Sequence, residues 1–276
     1  MAATLQASAL PSPPVSTSGK RKRADFESQP LTPPPTASDA GSARLVSRAV
    51  HVLSTAASAL SQVTLLYQSD LVAQEGLLRS VETITSVNEA GGKLLVCGVG
   101  KSGLVGRKIV ATMKSLGIAV SFMHAAEALH GDLGDIKKND AILFISYSGK
   151  TAELLALLPH IPKHTPLLAI TSHKRACECP LLCSHPNTIL LPAPVHELEE
   201  VSFGVCAPTT STTVTIAVGD MLALTVAESM YEREECGVKD VFKRNHPGGA
   251  IGVKARTLDP EVEAQADGLA TPPTSL

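Results

Sequence analysis

The sequence has no tryptophan and few other aromatic residues, with three tyrosines and five phenylalanines among 276 residues. It also lacks an excess of charge, since the formal net charge at pH 7 is −2. Proteins that bind single-stranded nucleic acids stack bases on aromatic side chains, and those that bind duplexes present basic surfaces. The composition therefore predicts no nucleic-acid partner.

Long uninterrupted apolar runs are missing as well. The longest candidate, residues 214–230, is interrupted by Gly219, Asp220 and Glu228, whereas a membrane-spanning helix needs ~20 predominantly apolar residues. The N-terminus shows no continuous apolar core of the kind found in secretory signals. In such a chain the six cysteines are expected to be reduced thiols of an intracellular compartment. We therefore expect a cytoplasmic protein with no membrane partner.

Both ends of the chain have the composition of tails. Residues 1–42 hold seven of the nineteen prolines and many serines and threonines, so they bury little apolar surface and are predicted to be disordered. They include the basic run Lys20-Arg21-Lys22-Arg23, which fits a solvated charge cluster or a nuclear import signal. Residues 256–276 are polar and contain proline, which predicts a flexible C-terminal tail. One folded domain is expected over residues 43–255.

A β–α alternation begins after two helical patterns. Apolar residues recur three and four positions apart in both patterns, as they do along one face of a helix. Strands are predicted at residues 93–97, 118–123, 141–146, 167–171 and 188–191, and helices at residues 43–66, 71–88, 104–116, 151–158 and 210–231. Near-continuous apolar strands between helices indicate a parallel sheet covered on both faces.

A glycine-rich turn, Gly98-Val99-Gly100-Lys101-Ser102-Gly103, follows the first predicted strand. Its glycines allow close backbone approach, the helix start presents N–H groups to an anion, and Lys101 adds positive charge. The pattern indicates a phosphorylated small molecule. It is not a Walker A loop, because Leu95 stands where that loop needs glycine. It matches the dinucleotide fingerprint, but no carboxylate ends the second strand, so a nicotinamide-dependent oxidoreductase is kept only as an alternative.

Further motifs follow the glycine turn in series. They are the segment from His124 to Gly134, then Ser146-Tyr147-Ser148-Gly149, Ala207-Pro208-Thr209-Thr210-Ser211, and His246-Pro247-Gly248-Gly249. In this order they resemble D-arabinose-5-phosphate isomerases, members of the sugar isomerase (SIS) domain family, over about residues 45–255. The resemblance implies a SIS-domain α/β fold with a five-stranded parallel sheet flanked by helices in three layers. It also implies a homo-oligomer, dimer or tetramer, that interconverts D-ribulose 5-phosphate and D-arabinose 5-phosphate without a cofactor, here without the CBS domains of many bacterial members.

The resemblance carries over five candidate catalytic residues. Aldose–ketose isomerisation passes through an enediolate, which requires a base and a group that stabilises the developing oxyanion. Glu153 is assigned as the base and Lys101 as the oxyanion stabiliser. Glu200 and His246 are assigned to ring opening and proton relay, and His130 to substrate orientation.

Hydroxyl groups cluster after the third predicted strand and at the start of the long helix. Both places lie at carboxyl ends of the sheet, where open α/β folds bind ligands. Helix capping is the alternative use of such hydroxyls, but it needs only one per helix. The predicted phosphate ligands are Ser102, Ser146, Ser148, Thr151, Thr209, Thr210 and Ser211.

Two further features of the sequence each allow a structural explanation beside a functional one. Cys177, Cys179, Cys183 and His185 are soft ligands close together, but their spacing is not that of the usual zinc pairs. We therefore predict no metal, with a structural zinc as the alternative. Asp220 lies in the apolar stripe of the long helix and is predicted to be a buried, hydrogen-bonded structural carboxylate.

A non-catalytic SIS module that binds a sugar phosphate and regulates a partner is the rival function. Such a module needs only the hydroxyl clusters. The joint presence of Lys101, Glu153, Glu200 and His246 favours the enzyme.

Overall fold

A computed structural model describes residues 37–232 and 237–248 of the chain. The chain divides into two compact units, Met1–Leu45 and Val46–Leu276, and the sheet lies in the second. The first helix begins at Ala37, inside the segment expected to be a tail. The basic run and the predicted C-terminal tail lie outside the described residues, and the boundaries expected at 42 and 255 stay predictions.

Eight α-helices and five strands make up the described part of the chain. The helices are α1 Ala37–Ser69, α2 Leu71–Glu89, α3 Gly100–Ser115, α4 Ala125–Ala128, α5 Ala152–Leu157, α6 Glu199–Phe203, α7 Thr210–Tyr231 and α8 Val238–Asn245. The strands are β1 Leu94–Gly98, β2 Val120–His124, β3 Ala141–Ile145, β4 Leu167–Thr171 and β5 Thr188–Pro192. Short 3₁₀ turns follow α4, α5 and β4.

The five strands form one parallel sheet in the order β2-β1-β3-β4-β5. Every residue of β1, β3 and β4 is buried, which explains why these segments are continuous apolar runs rather than alternating ones. The five-stranded parallel sheet flanked by helices, predicted from the sequence, is confirmed.

Alternate residues of each strand enter different hydrophobic clusters. Leu94 and Val96 pack in a cluster with apolar residues of α2, α3 and α7. Leu95 and Cys97 pack in a second cluster with residues of α4 and α5. Since successive side chains of a strand point to opposite faces, the sheet is the middle layer of three.

Two described helices have the length and mean hydropathy of a membrane-spanning helix, over Asp39–Ser69 and over α7. From the sequence, Gly219, Asp220 and Glu228 were expected to interrupt the apolar run. The mean hydropathy of α7 nevertheless remains high enough for a membrane-spanning helix. Within α7, 56% of the apolar window is buried inside the protein, so α7 is a core helix. Length and composition are shared by core helices and spanning helices, so they assign neither helix to a membrane.

Asp220 departs from its prediction. Its carboxylate forms an ion pair with Lys108 of α3, and its side chain is 35% exposed rather than buried. The apolar stripe of α7 is wide, and Asp220 lies at its edge, where a lysine of the neighbouring helix reaches it. It is a partly exposed link between α3 and α7.

Candidate active site

A cleft of about 440 Å³ opens beyond the carboxyl end of β1. Three parts of the chain line it: the turn into α3, the residue Tyr147 after β3, and the segment from Leu198 through α6 to the first turns of α7. Ligands of open α/β sheets bind at this edge of the sheet. The cleft is therefore the place where the predicted site residues should be found.

The glycine turn places Lys101 and Ser102 at the cleft. Gly100 has a φ of +56°, a left-handed conformation that glycine adopts without strain, and α3 begins there. A Cβ on Gly103 would lie 3.0 Å from the carbonyl oxygen of Gly98, so the turn closes tightly. No side chain of the described residues caps the N-terminus of α3, which leaves its first N–H groups facing the ligand side.

Helix α6 contributes two neighbouring glutamates that differ in their surroundings. Glu200 is exposed at the cleft, whereas Glu199 is only 9% exposed. Oε1 of Glu199 accepts hydrogen bonds from the backbone N–H groups of Thr209 (3.2 Å) and Ser211 (2.9 Å). Burial alone would raise the pKa of Glu199, but the hydrogen bonds from Ser211 and Thr209 outweigh burial and hold the pKa below its ordinary value.

Cys206 brings a thiol to the same cleft. The neighbouring Glu200 carboxylate favours the protonated thiol, through hydrogen bonding and through its negative charge, and so raises the pKa of Cys206. The thiol is therefore kept protonated beside the candidate catalytic carboxylate.

The loop after β3 carries three of the predicted phosphate ligands. Ser146 Oγ lies 2.8 Å from Thr151 Oγ1 and accepts a hydrogen bond from the backbone N–H of Gly149 at 3.1 Å. Ser148 is exposed, and its Oγ accepts from the backbone N–H of Lys150 at 3.2 Å. Gly149 has a φ of +63°, which allows the tight turn. The hydroxyls are held in one tight loop before α5.

Residues at the end of β4 support this loop from behind. The carbonyl oxygen of Tyr147 accepts hydrogen bonds from the hydroxyls of Ser172 (2.7 Å) and Thr171 (3.0 Å). His173 Nε2 lies 2.9 Å from the carbonyl oxygen of Ser148. These contacts fix the backbone of the loop and leave the hydroxyl of Ser148 on the exposed side.

The structure brings together only some of the predicted residues. Lys101, Ser102, Glu200 and Ser211 line the cleft. Thr209 donates its N–H to Glu199, as described above. Thr210 is buried, and its hydroxyl has no hydrogen-bond partner in the part of the chain that the structure describes.

Three predicted catalytic residues are missing from the described lining of the cleft. His130 is exposed after α4, and Glu153 is exposed in the first turn of α5. The ring of His246 stacks on Phe242, and its Nε2 lies 3.2 Å from Ser115 Oγ at the C-terminal end of α3. Since α3 rises 1.5 Å per residue, His246 is roughly 20 Å from Lys101 of the same chain.

The cleft also contains residues that the sequence did not single out: Glu199, Tyr147 and Cys206. The run of acidic residues around Glu199 signals a charged segment, but not which carboxylate turns inward. That choice depends on the geometry of α6 against α7. Tyr147 lies inside the Ser146–Gly149 motif, and that position was the sequence signal that could have identified it as a site residue.

The cysteine-rich loop shows no metal arrangement. Among the described residues there is no group of three or more His, Cys, Asp or Glu side chains that could hold a metal ion. Cys179 is buried, Cys183 donates to the carbonyl oxygen of Pro180, and His185 Nδ1 accepts from the N–H of Asn187 at 3.3 Å. These side chains take part in local packing.

The fold is an open parallel α/β sheet with a cleft at the carboxyl ends of its strands, the place where folds of this class bind ligands. Residues 87–225 match the family described as SIS domain. An Escherichia coli CFT073 protein, c3406, solved in complex with arabinose 5-phosphate, is 30% identical, and the match covers 72% of this chain and 96% of that one with a TM-score of 0.57. The chain therefore belongs to the SIS domain family.

Two further proteins that this chain resembles carry the names of sugar-phosphate isomerases. A putative phosphosugar isomerase involved in capsule formation from Bacteroides fragilis is 28% identical over 74% of this chain and 98% of its own, with a TM-score of 0.58. The arabinose 5-phosphate isomerase GutQ of Salmonella typhi is 41% identical over 169 residues, which are 59% of this chain and 47% of GutQ. The chain spans about half the length of the curated relatives it matches.

Proposed function

We propose that this chain is a sugar-phosphate isomerase that interconverts D-ribulose 5-phosphate and D-arabinose 5-phosphate. The observation that carries the proposal is the meeting of Lys101 and Glu200 in one cleft at the carboxyl end of the sheet. The hydroxyl-bearing loop after β3, whose Tyr147 lines the same cleft, supplies donors for a phosphate. The name of the Salmonella relative and the ligand of the Escherichia coli structure support the same reaction.

The chemistry follows from the two charged groups. A base removes the proton from the carbon next to the carbonyl, and the released electron pair forms the enediolate double bond while the carbonyl oxygen becomes an oxyanion. The ammonium group of Lys101 and the open N-terminus of α3 stabilise that oxyanion. Return of the carbon-bound proton to the former carbonyl carbon, with transfer of the neighbouring hydroxyl proton to the oxyanion, forms the new carbonyl and completes the isomerisation.

Glu200 takes the role of the base in this proposal. It lines the cleft, whereas Glu153, the base expected from the sequence, does not appear in the described lining. His246 is held far from the cleft of its own chain, so it can reach the reacting atoms only from a second copy of the chain. His130, like Glu153, lies outside the described lining. A homo-oligomer with shared sites is therefore part of the proposal, and the cytoplasmic location stays a sequence-based prediction.

The test is an assay of the purified full chain, treated with EDTA, against a panel of pentose and hexose phosphates. We expect conversion of ribulose 5-phosphate to arabinose 5-phosphate without added metal or nucleotide, detected by ion-exchange separation of the two sugars. If the protein binds pentose phosphates but converts none, it is a sugar-phosphate-binding regulatory module instead. Binding of NAD(P) with a change in its absorbance would indicate the oxidoreductase alternative.

A further inference from the structure

The N-terminus of α7 was expected to bind the substrate phosphate, but it already holds an anion. The carboxylate of Glu199 accepts the N–H groups of Thr209 and Ser211, which begin α7. The first N–H groups of a helix have no partner within the helix, and they are the donors that bind phosphate in other proteins. In this chain a side chain of the neighbouring helix α6 takes that position.

The negative charge of Glu199, as well as its hydrogen bonds, keeps phosphate away from the N-terminus of α7. The pKa of Glu199 lies below its ordinary value, so the group is ionised at neutral pH. A phosphate approaching the same end of α7 would meet a negative charge in a buried setting, where screening by solvent is weak. It would also find two of the N–H donors occupied.

The other side of the cleft lacks this obstacle. The loop from Ser146 to Thr151 carries three hydroxyls, and the turn before α3 carries Lys101 and an uncapped helix N-terminus. Of these groups, Lys101 and the uncapped start of α3 line the cleft, so donors are open on the α3 side, whereas two N–H donors of α7 are occupied.

We propose that Glu199 is a specificity-determining residue, an internal anion that closes the N-terminus of α7 to phosphate and so sets the direction in which a sugar phosphate lies in the cleft. The phosphate is thereby kept off the end of the cleft that α7 forms. The role in turnover rests on the proposed function, whereas the exclusion of phosphate from α7 does not.

The direct test is the affinity for inorganic phosphate of Glu199→Gln, measured by isothermal titration calorimetry on the full chain. Gln has the shape of Glu and no charge. We expect phosphate to bind Glu199→Gln at least tenfold more tightly than the unmodified protein. Because the amide oxygen of Gln can still accept the N–H groups of Thr209 and Ser211, the crystal test uses Glu199→Ser. In phosphate-soaked crystals of that variant, the ion should lie on these two N–H groups.

Two controls separate this effect from a general loss of negative charge. Glu200→Gln removes the same charge from the cleft but leaves the α7 N-terminus occupied, so its gain in phosphate affinity should be clearly smaller. Glu197→Gln changes a nearby acid that accepts a hydrogen bond from Ser202, and it should leave phosphate affinity unchanged. Equal gains in Glu199→Gln and Glu200→Gln would overturn the proposal.

Turnover gives a second readout. Glu199→Gln should show a lower kcat and inhibition at high substrate, because some molecules bind with the phosphate on α7. A lower melting temperature with unchanged phosphate affinity and unchanged kinetics would show that Glu199 only caps α7, and would overturn the proposal. If Glu199→Gln does not fold, Glu199→Ser provides the neutral variant. Should the unmodified chain isomerise no sugar phosphate while Glu199→Gln gains phosphate affinity, the inference stands and the proposed function fails.

Discussion

Asp140 is a buried carboxylate at the amino end of the sheet, just before β3. Its side chain is 1% exposed, and it forms an ion pair with Lys93 at 2.9 Å while accepting the N–H groups of Lys93 and Lys137. Burial would raise its pKa, but the hydrogen bonds and charge of Lys93 and the N–H of Lys137 hold the pKa of Asp140 below its ordinary value. The ends of β1 and β3 are joined by this one side chain.

Asp140→Asn should therefore lower the free energy of unfolding by about 3 kcal/mol at pH 7, because it leaves Lys93 without its buried partner. Since the folded-state pKa is depressed, the stabilisation by Asp140 is fully present above the pKa of an unfolded aspartate and is lost as the pH falls through the folded-state pKa. Urea unfolding at several pH values checks both statements. The matched control is Asp135→Asn, whose half-exposed carboxylate also faces Lys93 and should cost less than about 1 kcal/mol. If Asp140→Asn lowered the free energy of unfolding by the same amount at every pH, the predicted pH dependence would be wrong.

Glu200 is the residue on which the proposed chemistry depends. Glu200→Gln keeps the size of the side chain but accepts no proton, so kcat should fall by about 10²–10⁴-fold with little change in KM. Lys101→Met should lower kcat as well, since it removes the charge that stabilises the oxyanion. Steady-state kinetics with Glu197→Gln as the matched control measures these effects. Near-normal kcat in Glu200→Gln would return the role of base to Glu153.

Among the helices and strands, α6 has the largest influence on the form of the site. It has five residues, too few to show a helical period, and the sequence predicts no helix there. Tertiary contacts hold its C-terminal carbonyl groups: Arg48 of α1 donates to Phe203 O, and His51 Nε2 lies 3.1 Å from Ser202 O. These contacts from α1 hold the helix that presents Glu199 and Glu200.

The packing of α2 on β5 offers a test of how tightly two elements fit. A Cβ on Gly76 would lie 2.0 Å from the carbonyl oxygen of Leu190, a backbone atom that cannot rotate away. Gly76→Ala should therefore reduce stability by about 1–3 kcal/mol despite the higher helix propensity of alanine. At Gly134 an added Cβ meets no atom of the described residues within 4 Å, so Gly134→Ala should leave the urea midpoint nearly unchanged. Equal urea midpoints for Gly76→Ala and Gly134→Ala would show that α2 can move away from β5 without a loss of stability.

For the molecule as a whole, the distance between His246 and the cleft raises the question of assembly. His246 is held at the far end of α3 by Phe242 and Ser115, so it cannot enter the cleft of its own chain without leaving those contacts. A shared site needs a second copy to bring its histidine to the first. Such sharing is possible in a symmetric oligomer, where the same surface meets itself.

Mixing two inactive variants tests this assembly. Lys101→Met and His246→Ala should each lose most turnover, but refolding them together should restore about a quarter of the unmodified activity if sites are shared in dimers, because half of the dimers then hold one intact site. Ser115→Ala, which removes only the hydroxyl near His246, is the control for local disturbance. Normal kcat in His246→Ala would show that the histidine serves only to pack α8 on α3.

Local patterns in the chain were enough to predict the sheet and the family. Strands buried on both faces appear as apolar runs, and β4 was predicted with its observed bounds, while the start of α3 was placed too late because the glycine turn masks the first helical residues. Motif order alone indicated the SIS family. In contrast, only the three-dimensional arrangement showed which acid of α6 is buried. It also showed that Glu153 and His246 do not join Lys101 in the described lining of the cleft. The physical reason is that strand patterns are local, whereas the position of α6 depends on contacts with α1, and the position of His246 on contacts with α3, and both partners lie far away along the chain.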